Sequence, residues 1–349
     1  MFSEMPAHRL ARQIALLEPE LRPLVHLRDD HAYTTDVIKA LAAAPPGTLL
    51  ADSAGRLIGA RLGGAEDAEL AAVVAAHAKA PPSARDAATL VGRYDRKLRK
   101  HAQPVALPAA DPSAERALFD ASYKGVTDLV TKRVWPVPAF AAVRWCARNG
   151  ISPNLVTAAS AVLVVATFVL FWHGWFLTGI AAGWLMCFLD TVDGKLARVT
   201  LTSSTVGDIA DHGIDLVHPP FWWWAWAVGA GLDAGLGGGE GVEPLLGPAL
   251  IVIVVGYIGQ RLEEGWFIAR FGADMHTWRP FDSTFREITA RRNPNLLILM
   301  VFAAIGLPAE GLVAVAAWVA ICFAVHLLRI LQAHAATRRG PIVSWMAEP

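Results

Sequence analysis

Six apolar stretches between residues 155 and 331 constrain the fold of this chain more than any other feature. They comprise residues 155–175, 176–189, 206–228, 246–258, 296–307 and 311–331. A bilayer core takes about 20 apolar residues per helix, so the shorter stretches must recruit flanking residues or be shielded by neighbouring helices. Charged residues make up only 18% of the 349 residues, below the roughly 25% that is usual in soluble domains. The sequence therefore predicts a mainly α-helical integral membrane protein with a polytopic six-helix transmembrane bundle.

Lys and Arg residues fall in alternate loops of this predicted bundle. They precede the first span, separate the second from the third and the fourth from the fifth, and follow the sixth. The loops near 174, 231–243 and 308–310 contain none. This alternation follows the positive-inside rule and predicts that the N- and C-termini are both cytoplasmic. In a bacterial cell the membrane would be the inner or plasma membrane. The apolar and basic stretch 140–148 suits a helix that lies on the inner leaflet.

The part of the chain before the first span is polar and mildly basic. Twenty Lys and Arg residues against 16 Asp and Glu precede Pro153, and 11 against 15 follow from there, a balance that does not suggest nucleic-acid binding. Helical periodicity near the N-terminus and a hairpin pattern at 48–62 predict a small soluble α+β module over residues 1–112, cytoplasmic and of unknown function. We expect a linker and juxtamembrane helix at 113–150, the membrane domain at 151–339 and a cytoplasmic tail at 340–349.

Two further residue types bear on the packing of the bundle. Three scattered cysteines, Cys146, Cys187 and Cys322, form no disulfide or metal pattern and are expected to fill the core. A cluster of four tryptophans lies near the predicted outer end of the third span, where it could contact a lipid substrate or form an interfacial aromatic belt. The belt is the expected arrangement for these residues, which are Trp222, Trp223, Trp224 and Trp226.

Five aspartates lie within 26 residues around the end of the second span and the start of the third: Asp190, Asp193, Asp208, Asp211 and Asp215. One aspartate at the centre of a transmembrane helix costs about 2.5–3.5 kcal/mol on insertion scales, so several together need a common reason. Asp190 and Asp193 share one helix face, and Asp211 and Asp215 share another. Carboxylates that converge from two helices repel one another unless a hard divalent cation binds them. The pattern predicts a two-metal site suited to phosphoryl transfer.

A second interpretation is that these aspartates form ion pairs with Lys195, Arg198 and other basic residues at the membrane edge. It is sufficient for any one aspartate, but it does not explain the spacing of the whole set.

The aspartates belong to a longer pattern, Asp190-x2-Asp193-Gly194-x2-Ala197-Arg198-x8-Gly207-x3-Asp211-x3-Asp215. This pattern resembles the signature of the CDP-alcohol phosphotransferases, also called CDP-alcohol phosphatidyltransferases, at all eight fixed positions. Residues 152–157 are similar to the family's entry into its first membrane helix, and the resemblance covers about residues 124–339. It implies a membrane enzyme, usually a homodimer, that transfers a substituted phosphate group from a CDP-linked donor to an alcohol acceptor and releases CMP. Such reactions serve phospholipid or phosphodiester synthesis.

The same resemblance implies roles for individual residues. Asp190, Asp193 and Asp211 would hold two Mg²⁺ or Mn²⁺ ions, and Asp215 would complete the metal site and act as the catalytic base. The residues that the resemblance assigns to nucleotide binding are Asn154, Gly194, Ala197, Arg198 and Gly207.

The substrates are less closely defined. The implied donor is of the CDP-diacylglycerol or CDP-inositol type, and residues 285–295 look most like the branch of the family that uses inositol phosphate acceptors. The residues that could then bind an acceptor phosphate are Lys132, Arg133, Arg291 and Arg292. Positive-inside anchoring explains each of these four equally well.

Other functions remain open at this point. Within the family, a phosphatidylglycerophosphate- or phosphatidylserine-type synthase would use a different acceptor. A cation transporter with intramembrane carboxylates is the alternative from another class, although it does not require the glycines and Arg198 at these spacings. A catalytically inactive scaffold is disfavoured because the signature lacks none of its aspartates.

Overall fold

This computed structural model describes residues 6–64, 68–76, 78–91, 105–202, 205–236 and 241–347, without the side chains at 6, 68–70, 205–212, 235–236 and 347. The chain divides into two compact units. The first comprises Met1–Gly125, Phe140–Ser152 and Lys195–Thr202, and the second comprises Val126–Ala139, Pro153–Gly194 and Ser203–Pro349.

The N-terminal part of the first unit mixes short helices and strands. The helices are α1 (Pro6–Ala15), α2 (Thr35–Ala43), α3 (Ala68–Ala75), α4 (Ala87–Val91) and α5 (Ala114–Asp120). The strands are β1 (Val25–Leu27), β2 (His31–Tyr33), β3 (Leu49–Ala51), β4 (Leu57–Arg61) and β5 (Ala106–Pro108). β1, β4 and β3 form an antiparallel sheet in that order, and β2 pairs with β5. The predicted hairpin is confirmed as β3 and β4, with Leu50 opposite Gly59. The hydrophobic core of this N-terminal part contains Val37, Ile38 and Leu41 of α2.

The second unit is built from helices. The bounds of the remaining helices are α6 (Leu129–Arg133), α7 (Pro136–Arg148), α8 (Pro153–Trp172), α9 (Phe176–Thr200), α10 (Thr205–Gly229), α11 (Leu232–Leu236), α12 (Leu246–Phe271), α13 (Pro280–Phe285), α14 (Arg292–Ala304) and α15 (Pro308–Ala336). The C-terminal parts of α7 and α9 belong to the first unit. Pro153 and Pro308 open α8 and α15, where the missing N–H of proline is not needed.

Four helices among the described residues are long and apolar enough to cross a membrane. They correspond to Pro153–Trp172, Phe176–Thr200, Glu243–Phe271 and Pro308–Arg339, at the positions predicted for the first, second, fourth and sixth spans. Residues at the third and fifth positions are also helical, in α10 and α14. α14 has only 13 residues, about 20 Å of helix against a hydrocarbon core of about 30 Å. The membrane assignment is therefore supported by four helices, and six spans stay a prediction.

The core of the helical unit contains residues that the sequence had placed at its surface. Trp222, Trp223 and Trp226 are fully buried, whereas Trp224 is partly exposed. The indole N–H of Trp222 donates to the carbonyl of Val164 (3.0 Å), and that of Trp226 donates to a carbonyl on α15 (2.8 Å). The expected interfacial belt is therefore wrong for three of the four tryptophans. The core prediction for the three cysteines is confirmed, because all three are buried and free.

Close contact between α12 and α15 depends on glycine. A Cβ at Gly256 of α12 would lie 2.3 Å from Cγ1 of Val319 of α15, so only glycine lets the two backbones approach this closely. α12 ends at Gly272, whose φ of +68° is the left-handed conformation typical of a helix C-terminus.

Candidate active site

Two helices of the second unit each bring one aspartate to the guanidinium of Arg292. α9 carries Asp190, and α10 carries Asp215. Both carboxylates accept hydrogen bonds from Arg292, the first residue of α14. Its Nη2 lies 2.6 Å from Oδ2 of Asp190, and its Nη1 donates to Oδ1 of Asp215. The side chains of Arg292 and Asp190 are 14% and 15% exposed, whereas that of Asp215 is 41% exposed. Asp215 is therefore the more open of the two carboxylates.

Asp193 lies one turn beyond Asp190 on α9 and is held by a different set of groups. It is buried, with 3% of its surface exposed. The hydroxyl of Thr157, near the start of α8, donates to Oδ2 of Asp193 at 2.6 Å, and the N–H of Gly194 donates to Oδ1. Thr157 is part of the family-like entry motif, but nothing in the sequence pairs it with an aspartate. The contact orients Asp193 from the neighbouring helix.

The remaining signature positions on α10 are described only by their backbone. Gly207 and Asp211 lie in the first two turns of α10, and their side chains are outside the described residues. Helical geometry puts Asp211 one turn before Asp215 on the same face. Among the side chains that the structure describes, which do not include that of Asp211, no group of three or more His, Cys, Asp or Glu residues could hold a metal ion.

The chemistry of these carboxylates fits a hard divalent cation. The donors are oxygen atoms, which Mg²⁺ and Mn²⁺ prefer. Asp190 and Asp215, from two helices, already converge on one positive charge, that of Arg292. The ion pairing foreseen by the second sequence interpretation is therefore present as well, with Arg292 as the basic partner.

Residues assigned by resemblance to nucleotide binding are distributed over both units. Asn154 is exposed in the first turn of α8, and Gly194 follows Asp193 on α9. Ala197 and Arg198 lie in the part of α9 that belongs to the first unit. There, Nη1 of Arg198 is 3.4 Å from the carbonyl oxygen of Ser122.

The four candidates for an acceptor phosphate each have a carboxylate partner. Nζ of Lys132 lies 2.6 Å from Oε1 of Glu287, and Nη2 of Arg133 lies 3.6 Å from Oε2 of the same residue. Arg291 pairs with Glu264 of α12, and Arg292 with the aspartates described above. An anionic ligand at these side chains would compete with carboxylates that are already in place.

Asp128 fixes the geometry of this basic region. Its Oδ1 caps α6 by accepting from the N–H groups of Val130 (3.1 Å) and Thr131 (3.0 Å). The same oxygen accepts from Nδ2 of Asn293 at 2.9 Å. One carboxylate therefore joins the start of α6 to the start of α14.

Arg286, which sequence analysis did not select, lies between α13 and α14. Its Nη1 is buried without a hydrogen-bond partner. Burial, and then the positive charge of Arg291, lower the pKa of the Arg286 guanidinium. A cation with a buried, unpartnered donor is a candidate for binding an anion. Only the excess of arginines in this loop could have suggested it from sequence.

Asp190 and Asp215 thus form a carboxylate pair on two helices of the second unit, and comparison with known proteins shows a family match over part of the chain. Residues 150–269 match the sequence profile of the CDP-alcohol phosphatidyltransferases. The resemblance of the signature is confirmed, and the chain contains a CDP-alcohol phosphatidyltransferase domain over these residues. A segment of 98 residues is 33% identical to "Cholinephosphotransferase 1" of Danio rerio, covering 25% of this chain and 25% of that protein. The chain thus spans about a quarter of the length of this curated relative.

These findings support the broader predictions about the protein. Four apolar helices and a family of membrane enzymes indicate an integral membrane protein. The family transfers phosphate-containing groups from CDP-linked donors to alcohols in membranes and generally uses divalent metal ions.

Proposed function

We propose that this protein is a metal-dependent CDP-alcohol phosphotransferase that moves a substituted phosphate group from a CDP-linked donor to an alcohol acceptor and releases CMP. The observation that carries the proposal is that Asp190 and Asp215, two aspartates of the family signature on different helices, converge on the guanidinium of Arg292. A transporter would not require the rest of that signature.

The proposed metal ligands are Asp190, Asp193, Asp211 and Asp215, which would hold two Mg²⁺ or Mn²⁺ ions. When bound, these ions neutralise the pyrophosphate of the donor. Thr157 holds the buried Asp193 in a fixed orientation through its hydroxyl, as partners of metal ligands commonly do.

Asp215 is the proposed catalytic base. Its side chain is more exposed than that of Asp190, so an acceptor hydroxyl can reach it. The carboxylate accepts the hydroxyl proton as the acceptor oxygen bonds to the β-phosphorus of the donor, and the bond from this phosphorus to the CMP oxygen breaks. The products are a phosphodiester and CMP. Asn154, Gly194, Ala197, Arg198 and Gly207 are proposed to bind the nucleotide.

For the acceptor, we favour an alcohol that carries a phosphate, such as an inositol phosphate, with a donor of the CDP-diacylglycerol or CDP-inositol type. Lys132, Arg133, Arg291 and Arg292 are the proposed phosphate ligands. The unpartnered Nη1 of Arg286 supports an additional contact with an anion. A phosphatidylglycerophosphate- or phosphatidylserine-type reaction would use the same aspartates with a different acceptor.

A second candidate donor comes from the relative in Danio rerio. Its name describes transfer of a choline phosphate group, and the similar segment is 33% identical. CDP-choline therefore belongs beside the other donors in any assay.

We further propose that both termini are cytoplasmic, that all six predicted helices cross the membrane, and that the protein acts as a homodimer. The alternation of basic loops supports the orientation. Residues 1–112 are proposed to be a non-catalytic cytoplasmic module, because every position of the signature lies beyond them.

The decisive experiment uses the full-length protein, purified in detergent, with Mg²⁺. CDP-diacylglycerol, CDP-inositol or CDP-choline is combined with a panel of alcohols that includes inositol, inositol phosphate, glycerol phosphate, serine and diacylglycerol. CMP release and the mass of the second product identify the donor and the acceptor together. Donor-dependent CMP release that stops in excess EDTA is the expected result. Absence of CMP with every combination, from a protein that binds Mn²⁺, would contradict the proposal.

A further inference from the structure

The charged side chain of Arg292 is largely shielded from water. Its side chain is 14% exposed, and its Nε is buried without a hydrogen-bond partner. A buried charge is stable only when it is paired and hydrogen-bonded. Asp190 and Asp215 supply that pairing, through Nη2 and Nη1 respectively. The guanidinium therefore balances the same two carboxylates that the proposed metal ions require.

The backbone on both sides of Arg292 is held by other contacts. Arg291, the N-cap residue of α14, pairs with Glu264 of α12. Asn293 donates to Asp128 at the start of α6 (2.9 Å). The position of the Arg292 backbone thus does not depend on its ion pairs with the aspartates. Its long side chain can leave the carboxylates while the start of α14 stays in place.

We propose that Arg292 is a displaceable counter-ion of the aspartate site. Its guanidinium pairs with both Asp190 and Asp215 when no divalent ion is bound, which offsets part of their negative charge, and it must leave both carboxylates before they can bind metal. This inference rests on the proposed function, since it assumes that these aspartates bind metal. Once displaced, the guanidinium would be free to contact a phosphate of the substrate, in line with its proposed role as a phosphate ligand.

The test measures Mn²⁺ affinity directly, by electron paramagnetic resonance of free Mn²⁺ with the full-length protein in detergent. Arg292→Gln keeps hydrogen-bonding capacity but removes the competing charge. It should bind Mn²⁺ at least about tenfold more tightly than the wild type, because each lost charge-assisted hydrogen bond corresponds to about that factor or more. Arg291→Gln is the matched control. It removes the same charge one residue earlier, at Glu264, and should change the affinity by less than about threefold.

Thermal unfolding provides a second readout. In EDTA, Arg292→Gln should unfold at a lower temperature than the wild type, because Asp190 and Asp215 then repel each other without a counter-ion. Saturating Mn²⁺ should raise its melting temperature by more than it raises that of the wild type. If Arg292→Gln does not fold, Arg292→Lys replaces it. Its compact ammonium cannot bridge both carboxylates as a guanidinium fork does, so Mn²⁺ binding should again tighten.

Unchanged or weaker Mn²⁺ binding in the folded Arg292 variant would overturn the inference, as would a wild-type protein that binds no Mn²⁺. Tighter Mn²⁺ binding in a protein that releases no CMP from any donor would leave the counter-ion role standing and reject the proposed function. The two claims therefore fail separately.

Discussion

Replacement of Thr157 by valine tests whether the contact from α8 to Asp193 matters for metal binding. Valine has nearly the shape of threonine but lacks the hydroxyl that donates to Oδ2 of Asp193 at 2.6 Å. Asp193 is only 3% exposed, so water does not readily replace the lost donor. A hydrogen bond to a charged group contributes about 1.5–3 kcal/mol, which corresponds to roughly a factor of 10 to 150 at 1.4 kcal/mol per tenfold. Loss of a partner that orients a metal ligand typically costs 10–100-fold in affinity or activity. We therefore expect Thr157→Val to weaken Mn²⁺ binding by about 10–100-fold.

Two control variants make this experiment specific. Thr157→Ser keeps the hydroxyl and should retain most of the Mn²⁺ affinity. Thr167→Val makes the same substitution on the same helix, at a fully buried threonine whose Oγ1 has no hydrogen-bond partner, and should leave Mn²⁺ affinity unchanged. Mn²⁺ titration and CMP release are measured for all three variants. The reasoning is refuted if Thr157→Val binds Mn²⁺ as the wild type does, or if Thr157→Ser is as weak as Thr157→Val.

Three other predictions concern the aspartates and the topology. Replacement of Asp190, Asp193 or Asp211 by asparagine should weaken Mn²⁺ binding and abolish CMP release. Full activity in excess EDTA would exclude the metal role of these residues. Asp215→Asn should keep much of the donor affinity, measured by calorimetry, yet lower turnover by roughly 10²–10⁴-fold, as removal of a general base does. Donor binding lost as completely as in Asp193→Asn would mean that Asp215 is primarily a metal ligand. An impermeant thiol reagent added outside intact cells should label an introduced Gly238→Cys and miss Ser53→Cys, and the reverse pattern would overturn the orientation.

The sequence predicted the features that depend on short stretches of chain. Apolar length and composition located four helices that are long and apolar enough to cross a membrane, and turn residues located the hairpin of β3 and β4. The aspartate signature extends over only 26 residues, so its helical spacing could be derived without knowing how the helices pack. The family match at residues 150–269 confirms the part of the resemblance that this signature carried.

Hydropathy could not predict which side of a membrane helix faces lipid. Tryptophan suits an interface because it has a polar N–H beside a large apolar ring. Trp222 and Trp226 satisfy that N–H inside the bundle, with carbonyl oxygens of Val164 and Pro308 on neighbouring helices. Such partners are 58 and 82 residues away in sequence, so burial of these rings depends on the tertiary fold.

The ion pairs and hydrogen bonds across the candidate site could not be predicted from sequence either, because their partners are far apart along the chain. Arg292 and Asp190 are 102 residues apart, and Thr157 and Asp193 are 36 apart. From sequence, the loop arginines were either anchors or free ligands for a phosphate. In the structure, Arg291 and Arg292 are instead bound to carboxylates. Under the proposed function, substrate phosphate and metal ions would therefore exchange partners with these ion pairs. Such an exchange replaces one charge pair by another, so its net free energy would be smaller than that of binding to unpaired charges. The proposal therefore predicts that the binding of metal and the binding of phosphate are coupled through Arg292.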